Sequence, residues 1–319
     1  MKMKSFFTFS FMLIMLSNIT AQENKRNFKI HTVAFYNLEN LFDTINDVNK
    51  NDEASPIMEI RFNRGKIYRE KVSNMAEVVS QIGFDVTKRP PSIVGICEVE
   101  NRMVVEDLIS DEKLREYNYG IVHYESPDDR GIDVGLIYNK DVFKVKNSSS
   151  HDVFITDNNS SKRRNTRDQL VVSGHLDGEL MHFIVNHWPS RGADETKRIA
   201  AAEVNNFIID SLRNKYESPK IITMGDFNDD PFDKSIKKIL GAKKNINDVK
   251  KNDMYNPFET ILVDEGVGSN AYRDKWQLFD QIILSKPFLE KNYKDYQLYK
   301  AGVFNKSFLI NKKGKFKGY

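Results

Sequence analysis

Polar residues able to do chemistry gather where apolar runs end, most tellingly in Gly225-Asp226-Phe227-Asn228-Asp229. This stretch follows Ile221-Ile222-Thr223-Met224, a short apolar run that reads as a buried strand. A glycine there lets the backbone turn, and an acid and an amide emerge at the strand's C-terminal end, where open α/β sheets place their ligands. The acid can orient and deprotonate a water, and the amide can donate to an oxygen on which negative charge develops. Gly-Asp-X-Asn also makes ordinary turns, so its weight comes from company.

Five more clusters provide that company. They are Asn37-Leu38-Glu39-Asn40-Leu41-Phe42-Asp43, Glu98 in Cys97-Glu98-Val99-Glu100-Asn101, Asp129-Arg130-Gly131-Ile132-Asp133, Asn186-His187-Trp188-Pro189-Ser190-Arg191, and Asp280 in Trp276-Gln277-Leu278-Phe279-Asp280-Gln281. Taken singly, each has a plainer reading. Asn37 could cap a turn, Glu98 could be a surface acid with Glu100 the ligand, His187 could be a packed core residue, and Asp280 could cap a strand. Arg130, Arg167 and Arg191 could be solvated, because charge runs usually are.

The elements that must position these groups alternate between strand and helix patterns, an α/β arrangement. Strands are predicted over 32–36, 92–97, 134–138, 169–173, 182–186, 221–224 and 277–284. Two helices are predicted. The first, 69–82, sets Val72, Met75, Val79 and Ile82 on one face and stops at Gly83; the second, 196–212, aligns Ala201, Val204, Ile208 and Leu212. Residues 147–167 are Ser- and Asn-rich and read as a loop or ragged hairpin. No Pro- or Gly-rich linker divides the chain, so one domain over 22–319 is expected.

With 319 residues, 40% hydrophobic and 11% aromatic, the chain can bury a large core. Its 48 basic and 45 acidic residues nearly balance at +3, compatible with a polyanionic partner without demanding one. Cys97 is the only cysteine, so no intrachain disulfide forms, and its apolar neighbours make it a small buried hydrophobe. Lys2, Lys4, an apolar stretch over 6–16 and Ala21 read as a signal peptide, residues 1–21, cleaved before Gln22. The expectation is an exported protein, periplasmic or secreted, with no membrane insertion after cleavage.

In their order the six clusters resemble the endonuclease/exonuclease/phosphatase superfamily, over about residues 30 to 285. Asn-Leu-Glu-Asn-Leu-Phe-Asp with Cys-Glu-Val-Glu-Asn is similar to a bacterial, often exported branch of endonucleases. The resemblance implies a four-layer α/β sandwich of two packed mixed β-sheets flanked by helices. It also implies catalysis with a divalent metal, Mg2+ first and Mn2+ or Ca2+ as alternatives. Glu98 then matches the principal metal carboxylate, and Asn37 the amide supporting metal and phosphate. Asp226 matches the residue activating water, Asn228 the donor to the pentacoordinate phosphate, and His187 the histidine binding phosphate or moving a proton. Asp280 matches the acid that orients a second, C-terminal histidine, while Arg130 and Arg191 are candidate phosphate contacts. The implied activity is an endonuclease on DNA or RNA, with the loop Lys162-Arg163-Arg164-Asn165-Thr166-Arg167 as a backbone contact, in a monomer. A phosphatase or sphingomyelinase-like lipid phosphodiesterase is the runner-up; an exposed aromatic hairpin would favour it, and none is obvious.

The superfamily normally closes with Ser-Asp-His on a last strand. The six histidines here are His31, His123, His151, His175, His182 and His187, none after Asp280. The expectation is a chain that stops before that strand and is catalytically impaired, and in the limit only binds metal or nucleic acid.

Overall fold

Strands that are apolar on both faces must be covered on both, and this dictates the layering. The computed structural model describes residues 28–156, 162–314 and 317–318; the segment read as a signal peptide lies outside them. Within the unit His31–Tyr319, one sheet contains β1 (Val33–Leu41), β2 (Ile93–Val99), β3 (Tyr119–His123) and β4 (Asp133–Asn139), in the order β1-β2-β4-β3. The other contains β5 (Phe143–His151), β6 (Gln169–Leu176), β7 (Glu179–His187), β8 (Lys220–Asp226), β9 (Ala242–Lys243), β10 (Met254–Tyr255) and β11 (Asp280–Ser285), in the order β9-β10-β11-β8-β7-β6-β5. Both are mixed: β1 runs parallel to β2 and β7 to β8, while β2–β4 and β8–β11 are antiparallel.

The period of two sorts each strand's residues between inner and outer layers. Ile93, Cys97, Leu136, Val172, Phe183, Val185, Ile222 and Met224 share one core between the sheets. Their neighbours Val94, Ile96 and Ile137 face α1 (Arg64–Gln81) and α2 (Arg102–Ser110) through Val72, Val79 and Leu108. Val171, Ile184, Ile221 and Ile283 face α3 (Glu195–Lys215) through Ala201, Ile208 and Leu212. This is the four-layer sandwich the resemblance implies.

Several boundaries differ from the sequence reading. The strand predicted over 277–284 is broken at Leu278–Phe279: Lys275–Gln277 pairs with Asn270–Tyr272 in an outlying ribbon, and β11 begins at Asp280. The amide of Leu278 turns aside to Asp230 Oδ1, 2.9 Å, and that of Phe227 takes Phe279 O, 2.9 Å. Gly225 does not turn the chain. It lies inside β8, where a Cβ would stand 2.3 Å from Asn186 O, so glycine is needed for close strand packing. Residues 147–151 extend β5, and Ile155–Thr156 pairs with Arg163–Arg164 as a ragged hairpin. Cys97 is buried and free.

Candidate active site

Each chemical group stands where its strand becomes irregular. Between Asn37 and Leu41 on β1, and between Cys97 and Val99 on β2, the ladder slips register. Glu39, Asn40 and Glu98 there adopt positive φ of 48°, 57° and 58°. A bulge of this kind re-aims side chains out of the ladder, and positive φ for Glu is strain held by its surroundings. The surroundings are specific. Lys71 of α1 donates from Nζ to Glu39 O and, at 2.9 Å, to Asn40 O, pinning the bulge from outside. The amide of Asn40 donates to Glu98 Oε2 at 2.9 Å, and Asn37 Nδ2 donates to Glu98 Oε1 at 3.1 Å.

The same Asn37 Nδ2 reaches across to the second sheet, donating to Asp226 Oδ2 at 3.1 Å. Asp226 ends β8, and its Oδ1 accepts from the amide of Asn228 at 2.9 Å. His187 ends β7 beside it, with Nε2 3.7 Å from Glu98 Oε1 and 4.0 Å from Asp226 Oδ2. Asp280 opens β11 directly opposite Asp226 in the antiparallel register. Asn37, Glu98, His187 and Asp226 therefore converge between the sheet ends, with Asp280 alongside. Glu100 is elsewhere, its Oε2 accepting from the amide of Asp43.

Burial sets the electrostatics. It pushes the Asp226 carboxyl up to about 6, against hydrogen bonds from Asn228 and Asn37. It pushes Asp280 up to about 8, reinforced by the charges of Asp226 and Glu98, and Asp280 Oδ1 has no hydrogen-bond partner. His187 is held well below its ordinary value, first by burial and then by Arg167 and Arg130, so its ring is neutral. Its Nδ1 is buried without a partner. Glu98, His187 and Asp226 offer three ligand atoms within 4.8 Å of one another. Carboxylate oxygens and a neutral imidazole facing one another at this spacing suit a divalent cation.

The remaining predicted residues are placed less directly. Asn228, at a positive φ of 50°, donates from Nδ2 to Trp188 O at 3.0 Å, leaving its second N–H for another acceptor. Arg130 is half exposed and paired with Asp128 at 3.3 Å. The Arg191 guanidinium is held by Asn228 O, Asp230 and Asp233 and lies over the Phe279 ring.

Two residues hold the site from behind in a way their sequence does not show, and Arg167, expected to be solvated or to touch phosphate, is instead drawn inside. One is Lys71, an ordinary helix lysine to the eye. The other is Arg167, whose guanidinium is buried and donates to His187 O (3.2 Å), Trp188 O (2.6 Å) and Asp128 Oδ2 (3.2 Å). Behind them, buried Asn186 takes hydrogen bonds from Asn205 (2.8 Å) and Trp188 Nε1 (3.2 Å) and donates to Thr223 Oγ1 (2.9 Å), which fixes the chain leading into His187 and Trp188.

Known structures share this architecture. A Bacteroides thetaiotaomicron mannosyl-6-phosphatase superposes with a TM-score of 0.51 at 18% identity, over 79% of this chain and 84% of that one. The 2',3'-cyclic phosphatase ANGEL2 gives 0.51 at 13% identity, over 80% and 82%. No curated protein sequence matches significantly. At these identities the likeness is one of fold. The family profile described as Endonuclease/Exonuclease/phosphatase matches residues 32–319, nearly the whole chain and every residue of the cluster, and the chain belongs to that family.

Proposed function

We propose that this protein is a divalent-metal-dependent phosphodiesterase of nuclease type, acting on DNA or RNA. The observation that carries the reading is the meeting of Glu98 Oε1, Asp226 Oδ2 and His187 Nε2 around the Asn37 amide. Glu98 is the residue to hold the ion; Asn37 supports it by donating from Nδ2 to Glu98 and Asp226, its Oδ1 being held by the Glu39 amide at 2.8 Å. Mg2+ is the ion of choice because it takes few carboxylates and keeps several waters. When bound, the metal supplies charge neutralisation at the phosphoryl oxygens.

The protein's own groups do the rest. Asp226, fixed through Oδ1 by the Asn228 amide and poised near 6, takes the proton of the attacking water. The water oxygen bonds to phosphorus, the ester P–O bond opposite breaks, and the leaving oxygen is protonated from solvent. The free N–H of Asn228 and the neutral His187 ring, in the tautomer with its proton on Nε2, donate to the developing negative charge, so His187 serves the phosphate and not the ion. The family's metal-dependent phosphoesterase chemistry supports this reading.

One observation favours a lipid phosphodiester as a second reading. The ribbon Asn270–Tyr272/Lys275–Gln277, directly ahead of Asp280, carries Tyr272 (59% exposed) and Trp276 (47% exposed). Its register sets Tyr272 opposite Lys275 and Trp276 opposite Ala271, so the aromatics project from both faces of the ribbon; exposed Tyr and Trp are the residues that favour a lipid–water interface. A panel of plasmid DNA, RNA, sphingomyelin and inositol phosphates, with and without chelator, separates the readings. Chelator-sensitive cleavage of nucleic acid is expected. Turnover confined to sphingomyelin would replace the first reading with the second, and no chelator-sensitive turnover would refute both in favour of a protein that only binds metal or nucleic acid.

A further inference from the structure

A second group of ligand-type side chains shares no member with Glu98, His187 and Asp226, although Asp133 pairs in the ladder with Val99, the residue after Glu98. His123 ends β3, Asp133 opens β4, and Glu125 stands in the loop between them. Each offers an atom within 4.8 Å of the other two, and His123 Nε2 is 3.1 Å from Asp133 Oδ2. The carboxylate of Asp133 is oriented from behind: its Oδ1 accepts from the Ser126 amide (2.7 Å) and the Ser126 hydroxyl (2.6 Å), which leaves Oδ2 turned to His123. Hydrogen bonds to a ligand's far atom are how metal sites fix their ligands.

The third member, Glu125, is exposed and also lines a cavity of about 110 Å³ shared with Asp47, Lys50, Asp52, Glu100 and Arg130. Within that wall Asp52 is 1% exposed, and its Oδ1 is buried without a hydrogen-bond partner. Such an oxygen is costly to bury unless something donates to it or coordinates it. With about 10–15 Å³ of such space needed per water, the cavity has room for waters beside Asp52. The two basic residues of the wall are directed at protein acceptors, Lys50 at Ser126 O (3.2 Å) and Arg130 at Asp128.

We propose that His123, Glu125 and Asp133 form a second divalent-metal site, for Zn2+ or Mn2+. Its waters extend into the cavity and tie the β3–β4 loop to the loop after β1. One imidazole with two carboxylates, of which Glu125 lines the cavity, is a ligand set those ions accept.

Chelator-stripped full chain titrated calorimetrically with Zn2+, and separately Mn2+, tests this. Two ions per chain are expected. Glu125→Gln, at an exposed position where folding is undisturbed, is expected to weaken one of them at least about 10-fold, and His123→Asn to remove it. Glu98→Gln is expected to affect only the other. Lys50→Gln is expected to tighten the second ion by removing a nearby positive charge, whereas a plain Lys–carboxylate network would show only lower stability. If Glu125→Gln and His123→Asn bind both ions like the parent, or if Glu98→Gln removes the only ion bound, the site does not exist. The two metal assignments fail separately, because each has its own variant.

Discussion

Arg167→Met tests whether the histidine is positioned from behind. Arg167 is 6% exposed and Asp128 4%, so the variant strands a carboxylate in the interior. Removing one partner of a buried pair costs about 3–5 kcal/mol. Arg130 still reaches Asp128 at 3.3 Å, which puts this part near the lower end. Trp188 O keeps the Asn228 amide at 3.0 Å, but His187 O loses its guanidinium donor, adding about 1 kcal/mol. The sum is about 4 kcal/mol, or roughly 8–15 °C in melting temperature for a domain of this size. A displacement of His187 by about 1 Å would also lower turnover roughly 100-fold. Thermal unfolding by circular dichroism and chelator-sensitive hydrolysis read the two effects. Adding Asp128→Asn should restore much of the melting temperature without restoring turnover, because the carbonyl of His187 still lacks its donor. An Arg167→Met protein melting within about 2 °C of the parent would refute the reasoning. So would a double variant no more stable than the single.

Metal-free protein should lose stability as pH rises from 4 towards 8. Asp280, pushed up to about 8, keeps its proton in the folded state where the unfolded chain has released it, so the folded state binds more protons across that window. The slope is at most about 1.4 kcal/mol per pH unit for one proton. Asp280→Asn should flatten the decline and melt higher than the parent above pH 8 in chelator; an unchanged profile would show that Asp280 is not the group responsible. Gly225→Ala should destabilise by about 1–3 kcal/mol, since its Cβ would stand 2.3 Å from Asn186 O; an unchanged urea midpoint would show that the strands can spread. Expression in a Gram-negative host should give a mature N-terminus near Gln22 in periplasm or medium, whereas intact Met1 on cytoplasmic protein from the native host would contradict export.

What the sequence made legible followed from burial. Strands covered on both faces appear as apolar runs, so β2, β4, β7 and β8 could be read within a few residues of their ends. Two of the strands it hid, β5 and β3, lie at sheet edges, where the pattern is diluted. β5 reads Lys-Val-Lys-Asn-Ser-Ser-Ser and borders only β6, while the short β3 borders only β4. The nine-residue α2 is too short for its period to stand out, and its start is marked by the cap Asn101, whose Oδ1 accepts from the Val104 amide at 3.1 Å.

The candidate site divides along a different line. Acids and amides at strand ends were readable because their types and places are both unusual. Groups that act from behind were not, because what distinguishes them is a partner far along the chain. Arg167 sits in a basic run with Arg163 and Arg164, which are exposed, and only Asp128, 39 residues earlier, and two carbonyls 20 and 21 residues later draw it inside. Backbone strain is equally silent. Nothing about a glutamate announces a φ of 58°, yet that conformation lets Glu98 leave the ladder towards Asn37 and His187. The strain persists because Asn37, Asn40 and Lys71 each satisfy a group the bulge would otherwise leave open. Residue identity thus records which groups can meet at the cleft, and the geometry that makes them meet is held by contacts between segments that no local pattern can show.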